Sequence, residues 1–173
     1  MRSAEAIVVG GGPAGSAAAG RLKAAGADVI VLDRERFPRP KLCAGSITPD
    51  VVSDLALDIA KYPHGFLSFR RIQWHVHGVK LPLPCVQHSI RRVEFDSWLL
   101  GRSGAEVITH GVRDIRRDGE HYILDGLFRC RYLLGAGGTT CPVRRSLFES
   151  SISFMPSCKS FSTPRRWRHA CRR

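Results

Sequence analysis

Apolar positions along the chain fall into short blocks whose period changes from segment to segment. Ala6-Ile7-Val8-Val9 is a β-branched run that ends in glycines, the pattern of a strand buried on both faces. Residues 13–25 are alanine-rich and predict a helix, which Gly26 closes as a glycine just past the last turn. Residues 29–32 form a second fully apolar strand, with Asp33 at its end. Strand, helix and strand fit within about 30 residues, the size of a βαβ unit.

A basic loop punctuated by proline follows over residues 34–49, and a helix is expected from about 49 to 57. Residues 70–77 alternate well enough for a strand, and residues 79–83 would pair with it across Gly78. Residues 95–102 read as a short amphipathic helix and residues 106–110 as a strand. Two Asp-Gly dipeptides, Asp118-Gly119 and Asp125-Gly126, then lie between short alternating runs. Type I′ turns need positive φ, so these pairs predict an antiparallel meander of strands 112–117, 120–125 and 127–131. A further apolar strand is expected at 132–135, before a glycine turn.

The chain has 173 residues, 43% of them hydrophobic and 24% charged, which suits one globular core. No run approaches the roughly 18–20 apolar residues of a membrane span, and no secretory leader is visible, so a cytoplasmic protein is expected. The six cysteines form no CxxC pair, which argues against a disulfide framework or a zinc site. His75 and His77 share one face of the expected strand but lack a third ligand at a telling distance, so no metal is assigned.

The net charge of +12 invites a nucleic-acid reading. Its distribution argues against one: residues 149–173 hold six Lys and Arg against the single acid Glu149, and elsewhere the excess is spread thinly. A diffuse positive field favours small anionic ligands, phosphates included. The last 25 residues show no sustained period and are expected to be a basic tail, disordered or non-native, outside the domain at 1–148.

Gly10-Gly11-Gly12-Pro13-Ala14-Gly15 satisfies G-x-G-x-x-G between the first strand and the first helix. With an acid closing the second strand, this context points to a dinucleotide site. Gly10 would make the tight turn, Gly12 would let the backbone approach a pyrophosphate, and Gly15 would let the helix lie close to the sheet. The helix N-terminus offers unpaired N–H groups and its positive dipole end to the phosphates. Asp33 can accept hydrogen bonds from the adenosine ribose and would repel a 2′-phosphate.

Four stretches resemble the geranylgeranyl-reductase-like group of FAD-dependent oxidoreductases, within the p-hydroxybenzoate-hydroxylase-like flavoproteins. They are IVVGGGPAGSAAAGRL at 7–22, VLDRERFPRPKLCAGSITP at 31–49, RVEFDSWLL at 92–100 and YLLGAGGTTCPVRR at 132–145. The resemblance implies an α/β, Rossmann-like FAD-binding domain with a parallel sheet, an antiparallel β-meander and an incomplete inserted substrate region that starts at about 62–92. It implies that Gly10, Gly12, Pro13, Ala14 and Gly15 cradle the FAD pyrophosphate, with Asp33 at the ribose and Arg34 also among the cofactor-binding residues. Arg92 would reach the phosphate or ribityl region, and the backbone of Val112 would meet the adenine edge. Cys43, Ala44 and Gly45 would lie against the flavin. Cys43 has two readings, a thiol activated by Arg39 and Lys41 or a small residue packed near the ring. Arg92 likewise could be a surface residue beside Arg91. The chain departs from the family at Gly135-Ala136-Gly137-Gly138, where many members have Gly-Ala-Asp-Gly, and at Cys141, in the usual serine place. The family's later Gly-Asp motif is also missing.

The implied activity is hydride transfer through the flavin to a carbon–carbon double bond, with an isoprenoid-type substrate and a reduced electron donor as small-molecule partners. No catalytic acid, base or nucleophile identifies itself. Two alternatives stand beside this reading: an incompetent FAD- or ADP-binding fragment, and a monooxygenase- or halogenase-like flavoenzyme. Contact with a membrane surface rests only on the basic tail.

Overall fold

A computed structural model describes residues 1–148. The chain runs through β1 (Arg2–Val9), α1 (Pro13–Ala24), β2 (Val29–Asp33), β3 (Ser46–Ile47), α2 (Pro49–Asp54), β4 (Phe66–Val76), β5 (Val79–Ile90), α3 (Arg92–Arg102), β6 (Glu106–Thr109), β7 (Ile115–Asp118), β8 (His121–Leu124), β9 (Phe128–Gly135) and α4 (Pro142–Phe148). Short 3₁₀ turns occupy Ile59–Lys61 and Gly138–Thr140. The expected basic tail lies outside the described residues.

Two sheets form. The larger has the order β6-β2-β1-β9-β8-β7, and the smaller has the order β3-β5-β4. In the larger sheet β6, β2, β1 and β9 are parallel, while β7, β8 and β9 make the antiparallel meander. The parallel part is covered on both sides, as its unbroken apolar runs require. Ile7, Val9, Ile30 and Leu32 point into one core with Leu124, Phe128 and Val143. Their neighbours Ala6, Val8, Val29 and Val31 point into the other, against Ala19 of α1 and Leu100 of α3.

Three expectations need correction. The strands at 127–131 and 132–135 are one strand, β9, which pairs antiparallel with β8 through Phe128–Cys130 and parallel with β1 along its whole length. No turn residue separates Arg131 from Tyr132, so nothing interrupts it. The two Asp-Gly turns also differ. Asp125 and Gly126 both take positive φ (51° and 68°), as a type I′ turn requires, but at the first turn only Gly119 does (58°). There Asp118 is the last paired residue of β7, which moves the turn one residue on. Finally, β4 ends at Val76, so His77 sits in the hairpin turn at φ 47° and not on the strand face with His75.

The β4–β5 hairpin projects a ribbon whose pairs Ile72–Leu83, Trp74–Leu81 and Val76–Val79 are all exposed. Its base is anchored by an aromatic cluster, where Tyr62 meets Phe66, Phe95 and Trp98 edge-on. Burial pushes the Tyr62 phenol up to about 12.

Two glycines of α1 make the packing testable. A Cβ on Gly15 would lie 1.8 Å from the carbonyl oxygen of Gly10, whereas one on Gly20 would touch nothing nearer than Ser103 Cα at 3.6 Å. Gly15→Ala should therefore cost about 3 kcal/mol or more, and Gly20→Ala should be neutral or gain up to about 1 kcal/mol from helix propensity. Chemical denaturation of both variants checks this, and equal stabilities would contradict it.

Candidate functional site

The carboxyl ends of β1, β2 and β9 open onto one cavity of about 760 Å³. This is where open parallel sheets bind ligands. Gly10 leaves β1 at φ 114°, and a Cβ there would strike Ala136 O at 2.5 Å. The turn thus lies against the fourth motif of the sequence, held by the Ala136 N–H donating to Val9 O at 2.8 Å. Helix α1 then begins with Gly12 as N-cap and Pro13 at its first position, with no capping side chain and no acid in the first turn. Its first turn bond is the Ser16 N–H to Gly12 O, so the N–H groups of Ala14 and Gly15 have no intrahelical partner. A Cβ on Gly12 would meet nothing nearer than Arg39 Nη2 at 3.9 Å. The structure itself leaves that space open.

Asp33 is buried at the end of β2, and its carboxylate is a brace. Its Oδ2 accepts from the Gly11 N–H at 2.7 Å and its Oδ1 from the Glu35 N–H at 2.9 Å. Each oxygen keeps a further lone pair, and Asp33 lines the cavity. Across from it stands Arg39, which sequence reasoning considered only as a neighbour of Cys43. Its guanidinium lies 3.7 Å from Asp33 Oδ2 and stacks 4.8 Å from the Phe37 ring centroid. Arg39 Nε is buried with no hydrogen-bond partner among the described residues. The position directly after Phe37-Pro38 in the second motif was the available signal.

Arg92 also lines the cavity, which rules out the surface reading. It forms a two-pronged bond to the fully buried Asp96, with Nε and Nη2 at 2.7 and 2.8 Å from the two carboxylate oxygens. That bond raises the arginine's pKa further above its ordinary value. One fork of the guanidinium is committed to Asp96, and the group also meets the Cys43 thiol while facing the cavity.

The cavity therefore brings together Gly10, Gly12, Pro13 and Ala14 with Asp33, Arg34, Arg92 and Val112. It does not include Cys43, Ala44 or Gly45 in its wall. Gly45 has a packing role: at φ 72° its absent Cβ would lie 2.0 Å from Ile90 O. Gly15 is buried beneath the turn. Cys43 is exposed, and its thiol is lowered by the Gly45 N–H first and by Arg92 second. Arg39, expected to do this, is turned to Asp33 instead. Gly137 and Gly138 do line the cavity. At the far end of the cavity His110 bonds Asp125 at 2.7 Å. Burial pushes the Asp125 carboxyl up, but the N–H groups of Asp114 and Arg113 and the His110 ring outweigh it and leave it below the usual carboxylate range. Among the described residues no cluster of His, Cys, Asp or Glu could hold a metal, and no helix is long and apolar enough to cross a membrane.

Comparisons with known proteins agree with this geometry. The family model described as an FAD binding domain matches residues 3–52. A menaquinone reductase of Mycobacterium tuberculosis is 32% identical over 163 residues, covering 84% of this chain and 40% of its own. A geranylgeranyl diphosphate reductase of Rhodobacter capsulatus is 31% identical over 161 residues, covering 86% and 41%. Among solved structures, a probable FAD-dependent monooxygenase from Pseudomonas aeruginosa superposes with a TM-score of 0.73 at 18% identity, covering 90% of this chain and 48% of that one. The α/β cavity and these matches define an FAD-binding domain of flavoprotein type. Within that class the chain is similar to geranylgeranyl and digeranylgeranylglycerophospholipid reductases. It spans about 40% of the length of the curated relatives it matches.

FAD is the cofactor, and the cavity fits it. The open space at Gly12, the unpaired amides of the α1 N-terminus, and the buried Nε of Arg39 together form a cradle for a diphosphate.

The cysteines give a direct test. Iodoacetamide at pH 7.5 should alkylate Cys43 several-fold faster than half-buried Cys85, because Cys43 is exposed and its thiol lies below the ordinary value. Cys130, whose thiol burial pushes up to about 11, should resist until the protein unfolds. Peptide mass spectrometry reads each site, and equal rates at Cys43 and Cys130 would contradict the structure.

Proposed function

We propose that the chain binds FAD with its pyrophosphate on the N-terminus of α1, its adenosine along Asp33 and Val112, and its flavin end toward Arg92. The open approach over Gly12, faced by Arg39, is the observation that carries this reading. Ala14 and Gly15 would donate backbone N–H groups to the phosphates, and Asp33 would accept from the ribose with its spare lone pairs. Arg34, Arg39, Lys41 and Arg92 line the same cavity and concentrate anions there.

With FAD held there, the site would supply hydride chemistry for reducing a carbon–carbon double bond, and the names of the relatives, menaquinone reductase and geranylgeranyl diphosphate reductase, support an isoprenoid-type substrate. The chain's own residues supply binding and orientation. The exposed apolar pairs of the β4–β5 hairpin, at the start of the inserted substrate region, suit a long hydrocarbon chain. Free cysteines at 43, 85, 130 and 141 fit the reducing cytoplasm. A monooxygenase-like activity is the second reading, favoured by the superposition with the Pseudomonas enzyme.

Titration of the purified chain with FAD tests the binding. Flavin fluorescence should be quenched and its visible absorbance displaced. Gly12→Val should fold with an unchanged melting temperature but bind FAD about 100-fold more weakly, because its side chain would occupy the pyrophosphate's approach. Absence of binding by the wild type, or full binding by Gly12→Val, would contradict the reading. Anaerobic reduction followed by a menaquinone or a geranylgeranyl compound then separates the activities. Reoxidation by either supports the reductase, and reoxidation by oxygen alone, with hydroxylated product, supports the monooxygenase.

A further inference from the structure

The segment between β6 and β7 is fastened at both ends and unfastened in the middle. At its start the His110 N–H donates to Asp33 O at 2.8 Å. At its end the N–H groups of Arg113 and Asp114 donate to Asp125 Oδ1 at 3.1 and 2.7 Å, and the Asp125 N–H donates back to Asp114 O at 3.0 Å. The His110 ring closes the set, with Nε2 at 2.7 Å from Asp125 Oδ2 and its ring centroid 5.0 Å from that of Phe128 in a tilted pair. Between these anchors, no hydrogen bond among the described residues uses the backbone of Gly111 or Val112, and both line the cavity. The backbone N–H and C=O groups of Gly111 and Val112 thus have no internal partner among the described residues, in a segment pinned on both sides.

An adjacent amide donor and carbonyl acceptor complement the ring nitrogen N1 and the amino group N6 of adenine. They mismatch guanine, which presents a donor at N1 and an acceptor at O6. We infer that Asp125, which touches no ligand itself, is a positioning residue that fixes the Val112 backbone for adenine and so sets the base selectivity of the nucleotide site. The inference rests on the FAD reading, since it takes Val112 as the adenine contact.

Asp125 is well suited to the task. It occupies the left-handed region at φ 51° in the β8–β9 turn, where aspartate is tolerated better than most residues. Its ionised carboxylate accepts from three groups of the segment at once, so one side chain removes the freedom of five consecutive residues. A pre-ordered segment binds with less entropy loss, and a polar edge that is held in place rejects the wrong base.

Asp125→Gly tests this, because glycine accepts the same φ and deletes only the side-chain bonds. ADP and GDP are titrated calorimetrically into the full chain and the variant. Wild type should prefer ADP by tenfold or more. In Asp125→Gly that ratio should fall toward one through loss of ADP affinity, with GDP affinity within about threefold of wild type. Asp125→Asn, which keeps an oxygen for the Arg113 and Asp114 N–H groups, should restore most of the preference. An unchanged ratio, or ADP and GDP weakened equally, would overturn the inference. A wild type that binds FAD and ADP but shows no preference over GDP would overturn it too, leaving the FAD reading intact. A wild type that binds neither FAD nor ADP would defeat both. Should Asp125→Gly lose its native near-UV spectrum, His110→Phe keeps the packing on Phe128, removes one anchor, and must lower the ratio for the inference to stand.

Discussion

The site depends on how closely α1 starts against the end of β1. With 1.8 Å between the Gly10 carbonyl oxygen and the place where a Gly15 Cβ would be, no other residue permits this approach. The approach fixes the helix axis over the sheet edge and aims its unpaired amides at the cavity. On the other side Gly10 passes so near Ala136 that β9 and its glycine turn become the opposite wall. Asp33 completes the frame by holding the Gly11 N–H from the end of β2. Three parallel strands are thus brought to a common end by backbone contacts that side chains would obstruct.

Around this frame, charge is arranged in two ways. Arg92 is locked by Asp96, whose carboxylate is fully buried and would be costly to leave without its partner. That bond places a guanidinium at the cavity wall before any ligand arrives. Arg39 is held more loosely, by the Phe37 ring and a long approach to Asp33, and keeps a buried nitrogen without a partner. A fixed cation and a partly unsatisfied one beside bare helix amides make a surface complementary to a diphosphate.

Much of this was legible in the sequence because it rests on local rules. Glycine spacing, the acid after β2 and the apolar runs of β1 and β2 each report a backbone need within a few residues. The merged strand β9 was missed because its two partners, β1 and β8, are distant in sequence, and local alternation cannot show a strand with different neighbours on its two sides. Cys43 and Gly45 were assigned to the flavin on motif position, and the structure shows why Gly45 is glycine without any ligand: the Ile90 carbonyl occupies the space. Arg39 and the His110–Asp125 pair escaped notice because their roles arise from contacts between loops. Those contacts appear only after the sheet has ordered its strands.

The central claim is that the N-terminus of α1 and the Val112 segment bind the ADP half of FAD. Amide chemical shifts of the isotopically labelled chain, recorded as FAD is added, test this most directly. The account predicts that the largest changes fall at Gly12, Ala14, Gly15 and Val112, and that ADP alone reproduces them. Changes that leave these amides untouched and gather on the β4–β5 hairpin would contradict it.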